Sequence, residues 1–392
     1  MDVKRTFLNG TIDEEVYIEQ PEGFEINSRE THVCRLKKAV YGLKQAPRAW
    51  YTRMDACLLR IGFVKSSTNA NLYIKIVNNE PIIILLYVDD LFVICVERRI
   101  LECKKMLGAK LEMKGLRLMH YYLGLEVWQK LGEIYLGQGK YIIKMLENFS
   151  IMDSKPMTTP MITNIKKLRS SYSSPVDPTS YRKLVGSLMY LVNTRLDICF
   201  AVNVLSQFQL EPHHDHWIAA KHILRYLRVT IHHYLKYDGK EVILTGCTDS
   251  DWGGSETDRR STTGGYFSLG SVMISWVSRK QDPIALSSAE VEYVVACEVG
   301  KGAAWLRKLL SDLFGGPLDP TVIICDNQSN IKMSEDPVFH TRTKHINNKY
   351  HYIRSFVQDG VVKLQYIPTD EQVVLISGSI GCALSLKLCR EA

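Results

Sequence analysis

The sequence predicts an α+β chain of more than one domain, on three observations. A β-rich meander runs from Leu72 to Val96; the stretch from Ser154 to Ser180 follows neither the helical nor the strand period; and strand-like runs after Glu241 lead into a long apolar helix and a further strand. At 392 residues the chain exceeds one ordinary core, and at about 150 residues per domain it divides into two or three.

Composition narrows the class. Hydrophobic residues at 46% and charged residues at 23% are globular proportions, which exclude a disordered or fibrous chain. A net charge of +7 favours anionic partners but is less than a strongly basic nucleic-acid binder carries. The ten cysteines are scattered without a CxxC, so they read as reduced thiols rather than a disulfide framework. Met-Asp-Val-Lys-Arg is not followed by an apolar signal core, and the longest apolar run, Ile82 to Val88, has the length of a strand. The expectation is a cytoplasmic or nuclear protein, not secreted and without a membrane partner.

Taken in order, Ala49 to Ile61 sets Trp50, Met54, Cys57 and Leu58 at helical spacing behind Pro47, a residue suited to a first helical turn. The meander follows, broken at Asn78-Asn79-Glu80-Pro81 and again at Asp89-Asp90. Pro156, Pro160, Pro175 and Pro178 with a serine patch mark 154–180 as a linker, and Tyr181 to Leu227 returns to helical stripes interrupted near Pro212. From Glu241 to Val277 strands alternate with turns expected at Gly253-Gly254 and Gly264-Gly265. A helix is then expected from Ser288 to Leu313 and a strand from Thr321 to Cys325.

The chemistry concentrates in acidic residues. Tyr87-Val88-Asp89-Asp90 places two carboxylates in a hairpin turn between apolar strands, where they read either as turn residues or as cation ligands. Asp2 opens Asp2-Val3-Lys4-Arg5-Thr6-Phe7, and Val40-Tyr41-Gly42-Leu43-Lys44-Gln45-Ala46-Pro47-Arg48-Ala49-Trp50 lies between. Together these segments resemble the reverse-transcriptase palm of copia-type LTR retrotransposon Pol polyproteins. The second half resembles the same family's ribonuclease H domain through Thr248-Asp249-Ser250-Asp251-Trp252, Ser287-Ser288-Ala289-Glu290-Val291-Glu292-Tyr293 and Ile324-Cys325-Asp326-Asn327-Gln328-Ser329. The likeness extends to about residue 372.

That resemblance implies a fold of truncated palm with thumb remnant at 1–153, linker and helical connection at 154–240, a ribonuclease H-like α/β domain at 241–375 and a divergent tail at 376–392. It implies that Asp2 and Asp89, assisted by Asp90, bind two Mg²⁺ ions in the polymerase site, and that Asp249, Glu290 and Asp326 bind two more in the nuclease site. Phe7 would gate the sugar, or would serve only as a core aromatic, while Gly42, Lys44 and Pro47 would form the nucleotide floor. The implied partners are template–primer nucleic acid, an RNA–DNA hybrid, dNTPs and other Pol fragments. Arg342, Lys344 and His345, within Phe339-His340-Thr341-Arg342-Thr343-Lys344-His345-Ile346, are implied as weaker phosphate contacts.

Several positions keep two readings. Ser287-x-x-Glu290 is also a capping box, and Glu292, about 200° round the helix from Glu290, is the substitute ligand. Asp251 shares a strand face with Asp249. His213, His214 and His216 with Asp215 read as a solvated polar turn beside Pro212, not a zinc site; Leu136-Gly137-Gln138-Gly139 reads as a hairpin turn; and Arg35-Leu36-Lys37-Lys38 and Lys104-Lys105 read as solvated charge runs. Where the resemblance calls for fingers before Asp2 and a fourth nuclease carboxylate after Gln372, the chain has Met1, and Val374 and Leu375, with Asp370 and Glu371 as neighbouring carboxylates. The expectation is therefore a degenerate, weakly active or inactive enzyme, with a catalytically silent nucleic-acid-binding relic as the alternative.

Overall fold

The computed structural model describes residues 1–26, 32–161, 173–239, 242–251, 260–270, 272–282, 285, 287–335 and 352–368, a mixed α+β chain. It divides into two units, Met1–Leu118 with Lys308–Pro317, and Met119–Arg307 with Leu318–Ala392.

In the first unit β2 (Tyr17–Ile18) and β3 (Cys34–Arg35) form a small pair. A six-stranded antiparallel sheet takes β1 (Asp2–Val3), β4 (Val64–Lys65), β5 (Leu72–Val77), β6 (Glu80–Tyr87), β7 (Asp90–Ile94) and β8 (Met113–Lys114) in the order β4-β5-β6-β7-β1-β8. Along β6, Ile82, Ile84 and Leu86 point into the core while Pro81, Leu85 and Tyr87 point out, the period of two that a sheet with one covered face demands. The helix α1 (Ala46–Arg60) buries Ala46, Trp50, Met54 and Leu58, one residue per turn, and α2 (Glu97–Gly108) adds Cys103 and Leu107. Asn78 and Asn79 both take positive φ, 52° and 66°, the two-residue turn that matches strand twist and that asparagine tolerates. Glu80-Pro81 therefore begins β6 rather than finishing the turn, as the sequence had suggested.

The second unit opens with a sheet of β9 (Tyr121–Tyr122), β10 (Leu125–Lys130), β11 (Glu133–Gly137) and β12 (Leu235–Tyr237), ordered β12-β11-β10-β9. Its helices α3 (Gly139–Asn148), α4 (Pro178–Leu191), α5 (Cys199–Ser206) and α6 (His214–Val229) enclose a core of Ile142, Leu146, Leu184, Leu188, Leu205 and Leu224. The expected hairpin turn at Leu136–Gly139 is instead a junction between strand and helix. Any Cβ at Gly137 would come within 2.1 Å of the Tyr234 ring, so glycine is needed for close approach, and Glu126 accepts from the Lys140 N–H at 2.8 Å where α3 begins. α4 starts at Pro178, earlier than expected, because the Asp177 carboxylate caps the N–H groups of Thr179 and Ser180. The histidine cluster is only partly solvated, with His214 exposed and His216 buried. The His213 N–H donates to His216 Nδ1 at 2.9 Å, and His216 is buried against Phe208, so these residues close the first turn of α6.

Arg195 and Asp197 form a bidentate pair (3.0 and 2.7 Å) with both side chains 2% exposed. Arg195 also donates to the Thr230 carbonyl and hydroxyl, and the Tyr226 hydroxyl donates to Asp197 at 2.7 Å. Burial pushes the Asp197 carboxyl up, but Arg195 and Tyr226 win and hold it below the ordinary range.

Further along, β13 (Leu244–Asp251), β14 (Thr262–Leu269), β15 (Val272–Lys280), β16 (Thr321–Cys325) and β17 (Val362–Tyr366) form a sheet ordered β15-β14-β13-β16-β17. The first three strands pair antiparallel, whereas β16 runs parallel to both β13 and β17. Helices α7 (Ser288–Phe314), α8 (Gln328–Glu335) and α9 (Tyr352–Gln358) complete it. Gly264-Gly265 is not a turn but the middle of β14, opposite Asp249 and Thr248. A Cβ at Gly265 would meet Val299 of α7 at 2.6 Å, so the glycine sets how closely helix and sheet approach. Gly253-Gly254 lies outside the described residues.

Replacing Asp197 with Ala leaves the Arg195 guanidinium buried without its counter-ion, and should destabilise the second unit by about 3–5 kcal/mol. Urea denaturation followed by circular dichroism measures this, and exchanging both Arg195 and Asp197 for apolar residues of similar size should recover most of the loss.

Candidate functional site

Two groups of carboxylates stand out, one in each unit. In the first, Tyr87 pairs with Asp90, so Val88-Asp89 is a two-residue loop between β6 and β7. Val88 takes φ 53°, a region in which a β-branched residue is strained, so the loop needs holding. The Trp50 indole N–H supplies the hold by donating to the Val88 carbonyl at 2.6 Å from the buried face of α1. β1 adds a second clasp, because the Val3 N–H donates to the Asp89 carbonyl at 2.9 Å and the Leu91 N–H to the Met1 carbonyl at 2.8 Å.

These bonds flank Asp2 and Asp90, which are direct partners across β1 and β7. They form a non-hydrogen-bonded pair, in which Cα atoms lie about 4.5 Å apart and side chains share a face. Two like charges in that position repel unless a cation or proton offsets them. Asp89, expected as the main partner of Asp2, sits in the loop, and the residue directly opposite Asp2 is Asp90. Phe7 packs edge-on to Tyr41 with ring centroids 4.6 Å apart and is half-buried against the core, so it has both a core side and a free side. Gly42 follows at φ 94°, while Lys44 and Pro47 are exposed near the start of α1.

In the second unit Asp249 is near the C-terminal end of β13, and Asp326 directly follows β16. The parallel register of Cys247 with Ile324 brings both to the same end of the sheet. Asp249 accepts from the Ser250 N–H at 2.9 Å, and the Ser250 hydroxyl donates to Glu292 Oε1. Burial first, then the charges of Asp326 and Asp249, push the Glu292 carboxyl up to about 7 against the opposing pull of Ser250. Glu292 is 5% exposed, and its Oε2 has no hydrogen-bond partner among the described residues. Of the two candidates, Glu290 and its alternative Glu292, it is Glu292 on which the charges of Asp249 and Asp326 act. The Glu290 N–H donates to the Ser287 hydroxyl at 3.3 Å, an N-terminal cap, on another side of the helix.

Asn330, fully buried on α8, donates to the Glu292 backbone carbonyl at 3.2 Å, and its own N–H donates to Asn327 Oδ1 at 3.0 Å. Trp50, Ser250 and Asn330 are supports that sequence reasoning missed; only Trp50 carried a signal, since a buried indole N–H must find an acceptor. Arg342, Lys344, His345, Asp370 and Glu371 lie outside the described residues. Among the described residues no three His, Cys, Asp or Glu side chains are grouped closely enough to hold a metal ion. The donor chemistry nevertheless fits a hard divalent cation, because the ionisable groups in each are carboxylates and Glu292 Oε2 is buried and unmatched among the described residues.

The reverse transcriptase (RNA-dependent DNA polymerase) family matches residues 1–163. The retrovirus-related Pol polyprotein from transposon TNT 1-94 of Nicotiana tabacum is 38% identical over 402 residues, covering 100% of this chain and 30% of that protein. The corresponding polyprotein from transposon RE2 of Arabidopsis thaliana is 39% identical over 376 residues, covering 95% of this chain and 26% of its own length. A transposon Ty5-1 protein of Saccharomyces cerevisiae is 36% identical over 304 residues, covering 76% of this chain and 98% of that protein. The chain thus spans less than a third of the tobacco and Arabidopsis polyproteins.

Because Glu292 holds its proton in the folded chain up to about 7 but loses it in the ordinary carboxylate range when unfolded, its contribution to stability is lost as pH rises through that window. Without divalent cations the protein should melt lower at about pH 8 than at about pH 5. Glu292→Gln should flatten that difference, and Mg²⁺ should raise the melting temperature at the higher pH in the parent but not in the variant; differential scanning fluorimetry reads both.

Proposed function

This chain belongs to the copia-type retrotransposon Pol family of reverse transcriptases, and from that premise we propose that it carries two phosphoryl-transfer centres, a polymerase palm and a ribonuclease H. The palm and thumb occupy 1–153, the helical connection 154–240 and the nuclease 241–375. The substrates are template–primer with dNTPs at the first centre and an RNA–DNA hybrid at the second.

The observation that carries the reading is the buried Glu292 carboxylate, raised to about 7 beside Asp249 and Asp326, which come from separate strands. Burying a carboxylate among others is costly, and perturbed acids of this kind mark functional sites. Asp249, Glu292 and Asp326 would hold Mg²⁺ in the nuclease, and Asp2 and Asp90 with Asp89 in the palm. When bound, the ions activate the attacking oxygen and stabilise the leaving one. Ser250 orients Glu292 and Asn330 holds its backbone; in the palm, Trp50 fixes the hairpin on which Asp89 and Asp90 ride. Phe7, with one side free, would lie against the incoming sugar and disfavour a 2′-hydroxyl. Turnover is expected to be slow, since Val374 and Leu375 stand where the ribonuclease H resemblance calls for a fourth carboxylate.

The test is Mg²⁺-dependent cleavage of a labelled RNA–DNA hybrid by the full chain, with primer extension alongside. Asp249→Asn, Glu292→Gln and Asp326→Asn should each reduce cleavage at least about 10²-fold while extension persists, and Asp2→Asn or Asp90→Asn should do the reverse. Salt-sensitive binding of the hybrid without cleavage or extension would replace this reading with a silent nucleic-acid-binding one.

A further inference from the structure

The outer face of α1 forms one wall of a groove of about 580 Å³ that belongs to neither carboxylate group. Arg48, Arg53 and Arg60 project into it from the helix, and Lys110 faces them from the segment between α2 and β8. All four are exposed, and none forms an ion pair with a described residue. Asp13 and Glu14 also line the groove, which leaves positive charge in excess.

Concavity has a local cause. Ala49 and Ala56 occupy the helix between the arginines, and the chain at Gly10 approaches so closely that a Cβ there would meet Ala49 at 3.0 Å. Small side chains on the helix thus leave a trough lined by long basic ones. From Arg48 to Arg60 the helix rises about 18 Å, longer than the phosphate chain of a single nucleotide. Spaced cations on a concave surface suit a polymer with regularly spaced phosphates, since each neutralised phosphate releases a counter-ion.

We propose that this groove binds the sugar–phosphate backbone of a single nucleic-acid strand, as a holding site separate from the carboxylate hairpin. The choice of nucleic acid among polyanions rests on the family reading above. Arg53 and Arg60 carry the charge contacts; Thr52 and Gln45, also in the lining, offer hydrogen bonds to phosphate oxygens. The half-buried Cys57 thiol lies in the same groove, with Arg53, Arg60 and Lys110 close enough to act on it, and so reports on occupancy.

The test measures binding of a labelled single-stranded oligonucleotide to the full chain by fluorescence anisotropy across salt concentrations. Arg53→Gln/Arg60→Gln should weaken binding and make the log–log salt slope shallower by about 1.4, so that its deficit against the parent shrinks about sevenfold between about 50 and about 200 mM salt. Lys144→Gln/Lys183→Gln, exposed lysines of α3 and α4, should leave the slope unchanged. Saturating oligonucleotide at low salt should slow alkylation of Cys57, mapped by peptide mass. Absence of binding by the parent, an unchanged slope in the arginine variant, or alkylation of Cys57 at its free rate would each overturn the proposal. Groove-dependent binding by a chain that neither cleaves nor extends would sink the enzymatic reading and leave the groove standing.

Discussion

Repulsion between carboxylates held at close quarters is the constraint around which both units are organised. A flexible chain would relieve it by moving the charges apart, so the surrounding structure must prevent that movement. In the first unit Asp2 is fixed opposite Asp90 by β1 pairing with β7, and the Trp50 indole keeps the Val88 loop in a strained conformation. In the second, Glu292 is confined by burial, by the Ser250 hydroxyl and by the Asn330 amide on its own carbonyl. The supports are neutral donors in both cases. Trp50, Ser250 and Asn330 restrain the acids without adding a positive charge beside them.

The elements nearest these sites were the ones most legible in the sequence. The one-per-turn stripe of Trp50, Met54 and Leu58 and the alternation of Ile82, Ile84 and Leu86 each imply one element and one buried face, and the structure has both. Asp89-Asp90 at a hairpin was equally readable. What could not be read was the choice between Glu290 and Glu292. From Val291 to Cys297 every residue of α7 is buried, so this part of the helix has no polar face to show which glutamate points toward the sheet.

Other misreadings share a cause in distance along the chain. A glycine means a turn when only its neighbours are considered, but Gly137 makes room for Tyr234 and Gly265 for Val299, contacts that join remote segments. His216 read as solvated along with its exposed neighbour His214 because the sequence does not show Phe208 folding back over it. The Arg195–Asp197 pair likewise depends on Tyr226 and Thr230 from another helix and its end. Local periodicity describes elements; which surfaces they present to one another is decided by pairs that no short window contains.

Gly265 has a bearing on how decayed copies of such elements should be recognised. The position of α7, and with it Glu292, depends on a site where a side chain is missing. A single missense change there would push helix and strand apart while the sequence kept every acidic residue. An inventory of carboxylates alone would score that copy as intact although the group they form had been pulled apart, so the state of a copy is recorded as much in its glycines as in its acids.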